Sequence, residues 1–87
     1  MPYIKPEDRK VFQELLRNFK YLTTSDPGEL NYLLTKICLW YLDTHHYSYK
    51  TMNEVVGALE CAKQEFYRKV VVPHEEIQKE KNGDVYI

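Results

Sequence analysis

The sequence predicts an all-α domain: a compact bundle of three main helices with a short fourth helix after Pro73. Three observations carry this. Met52, Val55, Leu59, Ala62, Phe66 and Val70 recur at the spacing of one helix face. Two earlier stretches repeat that spacing, with Phe12, Leu15, Leu16, Phe19 and Leu22 in one and Leu30, Leu33, Leu34, Ile37 and Tyr41 in the other. Boundary signals frame the longest stretch. Thr51 and Glu54 have capping-box spacing, each able to take a backbone N–H that a first helical turn leaves unpaired, and Pro73 disfavours helical geometry at the residue before it.

Taken in order, residues 1–4 read as extended. A first helix follows over about 6–22, with Pro6 in its first turn and Glu7 and Asp8 suited to the positive end of the helix dipole. Arg9, Gln13, Arg17 and Lys20 flank its apolar stripe. The run TTSDPG at 23–28 is the clearest loop, with Ser25 or Asp26 as the cap of the second helix and Pro27 in its first turn. That helix runs to about 43 or 44, and residues 45–50 form a short polar and aromatic connection. The third helix spans 51–72. After Pro73, the segment HEEIQKEKN reads as a short helix that leaves at a break or kink, ended by Asn82–Gly83 as a C-cap. Residues 84–87 read as extended. PYI and VYI at the two ends are short β-formers that could pair, although two strands alone are marginal.

With 87 residues, 44% hydrophobic and 14% aromatic, the chain suits one small globular domain. Net charge is −1, which gives no global attraction to nucleic acid or acidic membranes. Residues 1–22 hold five basic and three acidic groups, and residues 73–87 two basic and four acidic, a mild polarity. No leader and no apolar run of membrane length is read, so a reduced cytoplasmic protein with no membrane contact is expected. Cys38 and Cys61 then act as small hydrophobes.

Candidate chemistry is sparse. There is no metal-ligand spacing around Asp43, His45 and His46 or around His74, Glu75 and Glu76, and no phosphate loop or nucleophile elbow. Both cysteines lie in apolar helical company, which disfavours a thiolate. No catalytic residue, metal or cofactor is assigned, and the residues point away from an enzyme. Arg9, Lys10, Arg17 and Lys20 can meet a few phosphates, but Glu7, Asp8 and Glu14 dilute their field, so nucleic-acid binding is the weakest reading.

Two surfaces stand out. Behind the apolar stripe of the third helix runs a polar line, Asn53, Gly57, Glu60, Gln64 and Arg68, with Gln64 placed to neighbour both Glu60 and Arg68. Its plainest reading is a solvated face; its functional reading is a groove for a small, nucleotide-like ligand or a partner. Gly57, costly inside a helix, invites close approach of another group. Glu60 beside Val56 and Tyr67 is expected to be partly buried, with a raised pKa. In the second helix, Tyr32 and Leu39 point away from the core face. A helix apolar on most of its circumference is central in a fold or shared with a partner. Sharing is slightly favoured, with Tyr47, Tyr49 and Tyr67 as further contact residues.

The blocks MPYI, PGELNY, NEVVGALECAKQEFYRKVVVPHEE and NGDVY, which together reach across nearly the whole chain, resemble a family of small uncharacterised proteins of bacteria and their phages. The resemblance implies a bacterial or phage setting and brings no reaction, cofactor or catalytic residue. The expected function is a non-catalytic binding module, forming a homodimer or engaging a host or phage protein. The alternative is a small-ligand binder or small enzyme with its pocket around Glu60, Gln64 and Arg68.

Overall fold

The computed structural model describes residues 2–22 and 26–87, and every regular element among them is helical. The chain divides into two units, Met1–Val55 and Val56–Ile87.

In the first unit, the expected first helix is a run of short pieces: α1 (Pro6–Arg9), a 3₁₀ turn at Lys10–Phe12, α2 (Gln13–Asn18) and a second 3₁₀ turn at Phe19–Tyr21. The interruptions fall where helix propensity is weakest. Val11, Phe12, Phe19 and Tyr21 are β-branched or aromatic residues that lose side-chain freedom against the preceding turn. Nor does a side chain cap the start at Lys5. The Arg9 Nε–H instead reaches back to donate to the Ile4 carbonyl at 2.8 Å. Leu22, with ψ of 135°, ends the run.

Asp26 begins the next helix, α3 (Pro27–Thr44); the other cap candidate, Ser25, lies outside the described residues. An Asp26 Oδ1 oxygen accepts the Glu29 N–H at 2.8 Å, and Pro27 follows where its missing N–H costs nothing. Gly28 leaves room for this contact, since a Cβ there would stand 3.1 Å from Asp26 Oδ1. Asp26→Ala is therefore expected to lower unfolding free energy by about 1 kcal/mol, read from urea denaturation, with Asp26→Asn keeping most of it. Equal losses in the two variants would mean that the cap is not the source.

At its other end α3 closes on a histidine. The Thr44 hydroxyl donates to the Trp40 carbonyl at 2.9 Å. His45 stacks on Tyr41 with ring centroids 3.8 Å apart, and its Nδ1 lies 2.9 Å from the Tyr41 carbonyl. The Thr44 hydroxyl oxygen lies 3.1 Å from the same nitrogen.

The helix α4 (Tyr49–Phe66) starts earlier than the Thr51–Glu54 spacing suggests, because Ser48 is the cap. Ser48 Oγ accepts the Thr51 N–H at 3.2 Å and meets the Thr51 hydroxyl at 3.2 Å, while the Ser48 carbonyl accepts the first helical bond from Met52. A serine three residues upstream satisfies the orphan donor that the capping box was expected to satisfy. Thr51 is 4% exposed and is the one buried residue among those described.

In the second unit α4 continues into a π-helical turn, Tyr67–Val71, and then into α5 (Val72–Asn82). The expected break at Pro73 is absent. Val72 keeps helical dihedrals, φ −60° and ψ −48°, and its N–H bonds to the Tyr67 carbonyl five residues back. The wider turn just upstream accommodates the proline, whose ring would crowd the carbonyl four residues before it in a regular α-helix. α5 ends as expected at Asn82–Gly83: Gly83 has φ of +88°, and its N–H donates to the Lys79 carbonyl at 2.8 Å. Asp84 Oδ1 then accepts the Tyr86 N–H at 2.8 Å, a local turn. Neither PYI nor VYI takes up a strand among the described residues; at Ile4 the backbone N–H bonds to the Pro2 carbonyl within its own segment.

Among the described residues, no apolar side chain of either unit is buried. On the face of α3 expected to form core, Leu33 and Tyr41 are half-buried and Leu30, Leu34 and Ile37 are exposed. Phe12, Leu15, Leu16, Phe19 and Leu22 are exposed as well. No helix among the described residues is long and apolar enough to cross a membrane.

Candidate functional site

The polar line is carried by α4 and the π-turn. Asn53 falls in the first unit and is exposed; Gly57, Glu60, Gln64 and Arg68 fall in the second. Two members meet: Gln64 Nε2 donates to Glu60 Oε1 at 3.0 Å. Lys63 Nζ also reaches Glu60 Oε1, at 3.3 Å. Arg68 turns to Glu65, its Nε and Nη2 donating to Oε1 at 3.0 and 2.7 Å. The expected Gln64–Arg68 neighbour relation gives way because a carboxylate three residues away offers a charge-assisted bond that an amide cannot match.

Glu60 is exposed, and its pKa moves opposite to expectation. The Gln64 hydrogen bond, then the hydrogen bond and charge of Lys63, favour the carboxylate and hold its pKa below the ordinary value. A lowered folded pKa makes this stabilisation complete above the unfolded pKa and lost as pH falls through the folded one. The Glu60 carboxyl should therefore titrate at lower pH in the native protein than in a Lys63→Ala/Gln64→Ala variant. Side-chain NMR would show it, and coincident midpoints would contradict it.

Glu60, Lys63, Gln64, Tyr67, Arg68 and Val72 border an open groove of about 570 Å³. All six come from one continuous helical run, so the groove is a side of that run with no opposing wall within its own unit. Lys63 and Glu65 were not singled out in the sequence, although Glu60–Lys63 and Glu65–Arg68 sit at the i,i+3 spacing that pairs charges on a helix.

Nothing lies within 4 Å of the position a Cβ would take on Gly57. Among the described residues, no neighbouring group approaches it closely. Gly57→Ala is expected to raise stability by about 1 kcal/mol through helix propensity, measured by thermal or urea unfolding. A loss of stability would mean that some group occupies this space in solution.

Of the expected contact residues, Tyr32 and Leu39 are 63% and 45% exposed on α3. The Lys36 ammonium lies 5.5 Å from the Tyr32 ring centroid. Tyr47 and Tyr49 are exposed at the connection between α3 and α4, and Tyr67 is exposed in the second unit. Cys38 is half-buried and Cys61 exposed, and both are free thiols, so Cys61 does not serve as a buried hydrophobe. Among the described residues no three histidine, cysteine or acidic side chains converge to hold a metal.

These features define a class: a protein whose regular elements are all helical and many of whose large apolar side chains stand open among the described residues. The chain belongs to the family described as Domain of unknown function (DUF6899), which matches residues 1–85. No curated protein and no solved structure matches it.

Proposed function

We propose that this protein is a non-catalytic interaction module of bacterial or phage origin that acts as a homodimer, with the outer face of α3 at the contact. One observation carries the reading: among the described residues, no apolar side chain of either unit is buried. Apolar burial is the dominant favourable term in folding and in most association, at roughly 25 cal/mol per Å². Stripes of the kind borne by α3 and α4 therefore call for a covering surface. A second copy supplies one with matching chemistry, and two-fold self-pairing is the commonest way to share such a patch. In this reading the compact bundle is completed on assembly, with Tyr32 and Leu39 central and tyrosines 47, 49 and 67 supplying large amphipathic contact area.

The small-ligand alternative has less support. Its Glu60, Gln64 and Arg68 already spend their polar groups on Lys63, on each other or on Glu65, along one open helical side. Light scattering over a concentration series tests the main reading. A mass of twice 10.5 kDa at micromolar concentration is expected, and a single-chain mass throughout would overturn it. Glu60→Gln should leave that mass unchanged, whereas in the alternative it would abolish ligand binding.

A further inference from the structure

We draw no further inference here: the strongest candidate, the exposed apolar side of the helical run in the second unit formed by Val56, Leu59, Phe66 and Val70, carries nothing because nothing in the structure shows what covers it.

Discussion

Leu39→Glu is expected to convert the proposed dimer into a folded monomer. Leu39 stands 45% exposed on α3, with the more exposed Tyr32 at 63%. Burying a leucine or tyrosine of this kind contributes roughly 1.5–3 kcal/mol. A carboxylate in the same place would lose that gain and face desolvation without a partner. A loss of about 3 kcal/mol corresponds to a dissociation constant raised roughly 100-fold or more. One leucine and one tyrosine do not offset the association entropy, which is why the proposed contact also draws on the tyrosines at 47, 49 and 67. Two measurements check the result. Light scattering should fall to the single-chain mass, and far-UV circular dichroism should keep its helical signature. If wild type and variant both run as 10.5 kDa species at micromolar concentration, the self-association reading is wrong. Loss of helicity in the variant would instead place Leu39 inside the fold of one chain.

Replacing Pro73 by alanine should stabilise the protein by about 1 kcal/mol, less than the roughly 3 kcal/mol penalty for proline inside a regular helix, because the wide turn upstream already relieves the ring's clash. Here the chain does not leave helical geometry at the proline but widens into the π-turn Tyr67–Val71 just before it. Alanine would restore the missing N–H donor and remove the ring, so the five-residue bond from Val72 to Tyr67 should give way to the regular α spacing. Denaturant unfolding would read the gain, and amide–amide NOE patterns across 66–73 would show the change of turn. A variant less stable than wild type would show that the wide turn is held by something other than the proline.

Much of this architecture was legible in the residues. The helix starting at Pro27 and the Gly83 stop rest on local chemistry: an aspartate oxygen over free N–H groups, and a residue free to take positive φ. The capping signal at Thr51 was misread because two hydroxyls lie three residues apart, and Ser48 is the one in cap position. The response to Pro73 was not legible. A proline in a helical pattern states that a bond is lost, without saying whether the chain bends, stops or adds width. The environment of Glu60 was misjudged for a related reason. Periodicity placed it beside Val56 and Tyr67, but the i,i+3 and i,i+4 contacts with Lys63 and Gln64 decide its charge. Burial was the least legible quantity, since an apolar stripe shows which side needs cover and not whether cover comes from the same chain.

The π-turn has a consequence for phase. In an uninterrupted α-helix, Phe66 and Ile77 are eleven residues apart, close to three full turns, and would look in the same direction. A π-turn takes one residue more than an α-turn, which rotates everything downstream by roughly 100°, more than a quarter of a revolution. Ile77 and the residues around it thus address a different azimuth from Leu59 and Phe66 although they share one rod. Two separate surfaces can be presented along a single element, and deleting one residue between 67 and 71 would bring them back into line.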